Sequence, residues 1–284
     1  MIVDCHTRIW ASPDQLGPAA ANWLTRNGGQ AGLSADPGDH WAAARDVTKT
    51  LVWGFRSRHL RADMPNAFLA DYAAQHGERI LAIAAVDPLE DDVTERLANV
   101  TRRAEFCGVT VSPAAQGFHP AHTRAMGVYE FCQAHALPVF VECGMDFAPK
   151  AILEFARPHL FDEVARTFPE LTIVIGSMGS PWPGEAVALL AKQPRVYADL
   201  AGLLRRPWAA YQSLLTAHQA GVAEKLLFGS DFPFSTAAEA IERLYRVNEV
   251  TQGTNLPAVP REALRGIVER DAMAELRIAG RAAG

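Results

Sequence analysis

A chain of 284 residues with 49% apolar and 21% charged side chains has the make-up of a globular protein with a sizeable core. Its formal net charge of −5 offers no basic surface for nucleic acid or anionic lipid, and no apolar run is long enough to span a membrane. The chain opens directly in a strand, with neither a basic leader nor an apolar signal core, so secretion is not expected. Cys5, Cys107, Cys132 and Cys143 lack CxxC spacing and read as buried free thiols of a reduced, cytoplasmic protein.

Eight short apolar runs recur along the chain: Ile2–His6, Thr50–Phe55, Ile80–Val86, Gly108–Ser112, Pro138–Cys143, Leu171–Ile175, Val196–Leu200 and Lys225–Phe228. Continuous β-branched runs of this kind mark strands buried on both faces, as in parallel sheets. Each is followed by a polar stretch long enough for a helix. Between the fourth and fifth runs, Ala125, Val128, Tyr129 and Cys132 fall at i, i+3, i+4 and i+7 and predict one buried stripe. The alternation predicts an α/β fold, a single (β/α)8 TIM barrel across residues 1–284 with right-handed crossovers. An open doubly wound sheet is the alternative that periodicity leaves standing. Two stretches break the rhythm. Residues 11–38 carry Pro13, Gly17, Pro18, Pro37 and Gly38 and predict mainly loop, with a short helix near Asn22–Arg26. This insert leaves the C-terminal end of the first strand, where it is placed to wall or cover a pocket. Residues 260–280 predict a helix packed outside the barrel, ahead of a fraying Ala/Gly tail.

The first strand reads Ile2-Val3-Asp4-Cys5-His6-Thr7-Arg8, and the eighth runs into Leu227-Phe228-Gly229-Ser230-Asp231-Phe232-Pro233. Together these stretches resemble the amidohydrolase superfamily, in the amidohydrolase-related branch that groups aminocarboxymuconate-semialdehyde decarboxylases with dicarboxylate lactonases. Pro138-Val139-Phe140-Val141-Glu142-Cys143-Gly144 is similar to that family's Pro-Val-x-x-His-x-Gly, and Gly176-Ser177-Met178-Gly179 to its Gly-His-x-Gly-Gly. Gly108-Val109-Thr110-Val111-Ser112-Pro113 and Arg270-Asp271-Ala272 extend the likeness over nearly the whole chain. The resemblance implies a TIM barrel with its pocket at the strands' C-terminal ends. It also implies a divalent metal, such as zinc, on Asp-x-His-x-His, the fifth-strand histidine and the eighth-strand aspartate. His6 and Asp231 match that set. Arg8, Glu142 and Ser177 stand where the family has histidines.

An arginine cannot give up its proton to ligate a cation. At about 4 Å and an effective dielectric near 20, a divalent ion facing a guanidinium is opposed by roughly 8 kcal/mol. His6, Glu142 and Asp231 in isolation would make a three-ligand set. Pairing of Arg8 with Glu142, Asp231 or both instead satisfies two opposite charge changes at once, so no cofactor and no metal is expected. Asp231 ends a strand as a catalytic base would, the plainer alternative being a helix cap. Glu142, Ser177, Arg56, Ser112 and Trp182 are candidate substrate contacts, with Arg56 able to hold an anion bidentately. His119 and Asp199 lie near strand ends, where surface pairs or caps are equal alternatives. Trp10, Trp23, Trp41 and Trp182 could roof an apolar cavity.

The reading that follows is an enzyme, a metal-independent hydrolase of a small anionic lactone or ester. Asp231 would be the general base, His6 would orient or donate a proton, and Arg8 would stabilise the developing oxyanion. A decarboxylase or isomerase on the same barrel, with or without metal, is the near alternative. A non-catalytic binding protein with a degenerate site is the other. The expected partner is a small-molecule substrate, with no nucleic acid or membrane; a homo-oligomer is left open.

Overall fold

All eight apolar runs form strands: β1 (Val3–Thr7), β2 (Lys49–Trp53), β3 (Ile80–Ala85), β4 (Phe106–Val111), β5 (Val139–Val141), β6 (Ile173–Ile175), β7 (Val196–Asp199) and β8 (Leu226–Leu227). The computed structural model describes residues 1–27, 33–143 and 148–278. The glycine-rich stretch at 28–32, Gly144 of the fifth-strand motif and the tail from residue 279 lie outside the described residues. Neighbouring strands pair in parallel and in chain order. The ring closes where Cys5 N–H donates to Phe228 O at 2.9 Å, Asp231 N–H to His6 O at 3.1 Å and Arg8 N–H to Phe232 O at 3.0 Å. Helices join the strands, so the architecture is a (β/α)8 barrel and not an open sheet. The predicted stripe Ala125, Val128, Tyr129 and Cys132 is the buried face of helix Thr123–Ala134. All four cysteines are free and buried. No described helix is long and apolar enough to cross a membrane.

The insert after β1 holds more helix than expected. It forms a 3-10 turn at Pro13–Leu16, a helix at Pro18–Asn27 and another at Pro37–Ala43. Its prolines open helices, since a first-turn proline forfeits an N–H that has no helical partner anyway. Ser12 and Asp36 cap two of these starts with their side chains.

The C-terminal region also departs from expectation. Helix Arg261–Glu269 packs outside, burying Leu264, Ile267 and Val268. The chain then extends at Arg270 and turns again over Ala272–Glu275. Met273, Leu276 and Ile278 join Val3, Cys5, Leu51, Trp53 and Phe140 in the inner barrel cluster. This last turn floors the barrel at the end opposite the strands' C-termini. Met273→Ala should therefore cost about 2–5 kcal/mol, the scale for emptying a core position, read as a fall in the urea midpoint. A shift below about 0.5 kcal/mol, the surface-substitution scale, would show that the floor does not hold the barrel.

Candidate active site

At the other end of the barrel the strand ends converge on a cavity of about 150 Å3. His6, Arg8, Glu142, Ser177 and Asp231 all line it, so five residues from four strand ends meet as the sequence motifs predicted. The remaining wall comes from Trp23 on the insert helix and from Leu203, Arg205 and Arg206 after β7.

His6 is held on three sides. Its ring stacks on Trp53, with centroids 3.7 Å apart and planes 9° from parallel. The Trp53 indole N–H in turn donates to Cys5 O at 2.7 Å. Its Nδ1 lies 3.0 Å from Asp199 Oδ2, a fully buried carboxylate. The other oxygen of Asp199 accepts the N–H groups of Ser177 at 3.0 Å and Ala201 at 2.9 Å. Because a carboxylate only accepts, Nδ1 carries the proton and Nε2 is left facing Glu142 Oε2, 3.8 Å away. Burial opposes a charged imidazole here, but Asp199 and Glu142 outweigh it and hold the His6 pKa above the ordinary 6.5.

Arg8 donates to Glu142. Glu142 is buried and Arg8 partly so, with side-chain exposures of 4% and 13%. The guanidinium carbon lies 5.7 Å from the Phe55 ring centre. Arg8 Nε is buried without a hydrogen-bond partner among the described residues.

Asp231 reaches the cavity through a strained backbone. Its φ is +67°, a conformation that non-glycine residues adopt mainly where surrounding structure enforces it. Buried Asp4 ties this loop to β1, accepting the N–H of Ser230 at 2.9 Å and that of His6 at 3.3 Å. Burial pushes the Asp4 pKa up to about 6 despite those bonds. The Asp231 carboxylate meets Arg205 at 2.8 Å. Close approach requires glycine opposite: a Cβ on Gly202 (φ +69°) would sit 3.2 Å from Asp231 Oδ2. Burial also raises the Asp231 pKa, with Glu142 adding to the effect, while His6, Arg205 and Arg8 pull against it. Asp231 is not the cap of the next helix, because Thr236 and Glu239 form a capping box there.

Three expected contacts are placed elsewhere. Past Trp53 the chain turns into a short antiparallel hairpin, Arg56–Ser57 against Ala62–Asp63. That turn carries Arg56 away from the cavity, where it pairs with Glu90 and Asp63. Ser112 is buried and its N–H donates to Gln116 Oε1 at 2.8 Å. Trp182 lies under the Arg157 guanidinium at 5.5 Å. None of the three is among the residues lining the His6 cavity. His119 accepts the Ala121 N–H in a local turn. Of the other tryptophans, Trp10 and Trp23 face the site, whereas Trp41 stacks on His76.

Sequence reasoning did not single out Arg205, Gly202, Leu203 or Phe234, and it left Asp199 undecided. The signal for Asp199 was its position at the end of β7; Arg205 sits in a turn with no pattern to mark it.

No match is found among curated proteins. Among solved structures, the chain superposes on an uncharacterised TIM-barrel protein from Bordetella bronchiseptica with a TM-score of 0.73 and 20% identity, over 98% of this chain and 99% of that one. A probable 2-pyrone-4,6-dicarboxylic acid hydrolase from Acinetobacter baumannii, with citric acid bound, gives 0.65 at 14% identity over 97% and 99%. A dihydroxybenzoic acid decarboxylase from Polaromonas sp., with manganese and an inhibitor bound, gives 0.66 at 15% over 98% and 97%. At these identities the superpositions establish the fold alone. The family model described as Amidohydrolase matches residues 3–273, nearly the whole barrel, and the chain belongs to the amidohydrolase family.

Proposed function

We propose that this chain is a hydrolase of small anionic lactones or esters that works without a resident metal. The observation that carries the reading is one cavity in which Asp231 and the Asp199-anchored His6 share walls with Arg8, Arg205 and Arg206. Cationic walls favour an anionic substrate, and about 150 Å3 is room for one small ring. Asp231 as carboxylate takes a proton from water, whose oxygen adds to the substrate carbonyl carbon. Charge develops on the carbonyl oxygen, where the Arg8 guanidinium lining the cavity stabilises it. The carbon–oxygen bond to the leaving group then breaks, and the leaving oxygen takes a proton from the His6 imidazolium.

The solved Polaromonas relative carries manganese, which makes fit to a metal a direct question for these residues. Glu142, the carboxylate that would complete a set with His6 and Asp231, already accepts from Arg8. Asp231 accepts from Arg205. Among the described residues, no group of three or more His, Cys, Asp or Glu is arranged to hold a metal ion. The donor set does not fit the group, and no step is routed through one.

A second reading, decarboxylation, is favoured by the raised pKa of Asp231, which would let its neutral acid protonate the carbon that loses carbon dioxide. The test is turnover of small carboxylated lactones and esters by the purified protein, with elemental analysis before and after chelation. The expected result is ring or ester cleavage unaffected by chelator at well below one metal ion per chain. Stoichiometric metal lost together with activity would overturn the metal-free reading, and release of carbon dioxide would replace hydrolysis with decarboxylation.

A further inference from the structure

A second, smaller space of about 20 Å3 opens off the same reacting groups, sharing His6, Arg8 and Asp231 as walls. Its other walls are apolar: Trp10, Leu16, Ala20, Leu24, Phe232 and Phe234. Five of these are buried, at 2–8% exposure. Leu16, Ala20 and Leu24 come from the insert that follows β1. The two spaces therefore divide the site into a side walled by Arg205 and Arg206 and a mainly apolar side, with His6, Arg8 and Asp231 at the junction. A volume near 20 Å3 is little more than one water-sized sphere, and six of its nine walls are apolar, so away from His6, Arg8 and Asp231 a water finds no partner. Such a niche takes a methyl-sized group and rejects a larger one.

Resting on the proposed reading of the site, we infer that the substrate carries a methyl-sized apolar substituent beside its reacting carbon, seated in the niche under the insert helix, with its carboxylate toward the arginines. Ala20 and Leu24 then set substrate specificity without taking part in the chemistry. Ala20 has no side chain beyond Cβ to fill the niche, and Leu24 lines it one helical turn further on.

The test uses binding, so it does not depend on turnover. Benzoate, 3-methylbenzoate and 3-tert-butylbenzoate are titrated into the full chain by calorimetry. The methyl compound should bind about tenfold more tightly than benzoate, the scale for one extra carbon in an apolar pocket, and the tert-butyl compound more weakly than the methyl compound. Leu24→Ala should enlarge the niche and bring the tert-butyl compound level with or ahead of the methyl one. Ala20→Leu, which fills the niche, should erase the methyl preference and covers the case in which Leu24→Ala fails to fold. Equal affinities across the series, no binding of any probe, or an order unchanged in the variants would overturn the inference. The predicted binding order without any hydrolysis would leave the niche standing and remove the hydrolase reading. Hydrolysis without the order would do the reverse.

Discussion

Asp231→Asn should abolish turnover while the barrel stays folded. The amide keeps the shape of the carboxylate and its contact with Arg205, but cannot accept a proton from water. Loss of a general base typically costs about two to four orders of magnitude in rate. The check is kcat on the best substrate from the panel, alongside a circular-dichroism melt showing that the variant is folded. Unchanged turnover would remove Asp231 from the mechanism. The pH profile of the wild type gives an independent view of the same pair. Asp231 has to be ionised and its pKa is raised, so the rising limb should lie above the ordinary carboxylate range. His6 has to be protonated and its pKa is also raised, so activity should persist above pH 6.5 and fall only as pH passes the elevated value. The two groups interact, and the limbs belong to the pair rather than to either residue. The same elevation has a stability sign. A histidine whose pKa is higher folded than unfolded contributes fully below about 6.5, and that contribution is lost as pH rises through the folded value.

Arg8→Ala should destabilise the fold by about 3–5 kcal/mol, because it leaves the Glu142 carboxylate buried without its guanidinium. Glu142 sits at 4% side-chain exposure, with His6 Nε2 the nearby cation at 3.8 Å. The measurement is the urea midpoint at neutral pH for Arg8→Ala, Glu142→Gln and the double variant. The double variant should be less destabilised than the sum of the singles, since each single strands a charge that the double removes. Additive losses would mean that Arg8 and Glu142 do not act as a pair, and would undercut the argument that this pair stands in place of a metal site. The same variants test the cofactor question directly: Arg8→Ala removes the guanidinium from which Glu142 accepts, and Arg8→His supplies a second imidazole two residues from His6. Zinc uptake by Arg8→His but not by the wild type would show that the guanidinium is what keeps a cation out.

The barrel was legible in the sequence because parallel strands buried on both faces leave a continuous mark, such as Ile80–Val86 or Leu171–Ile175. The convergence of His6, Glu142, Ser177 and Asp231 followed once those strands closed, since residues at strand C-termini share one rim. The charges narrowed the partner of Arg8 to Glu142, Asp231 or both, and the fold gave Glu142 to Arg8 and Asp231 to Arg205. What lay beyond the strands depended on tertiary structure. Arg56 directly follows the second apolar run, yet a hairpin turns it toward Glu90 and Asp63, and no strand period governs the direction of a residue past its strand. Arg205 reaches Asp231 from a 3-10 turn, and Asp199 reaches His6 across 193 positions of chain; pairings of that kind are set by barrel closure, not by local pattern. The insert's prolines read locally as breakers, but in the fold they start helices whose Leu16, Ala20 and Leu24 wall the niche. The C-terminal region read as one helix packed outside the barrel, which did not foresee the burial of Met273, Leu276 and Ile278. Only the open lower end of the barrel, lined by Val3, Leu51 and Phe140, decided what would bury them.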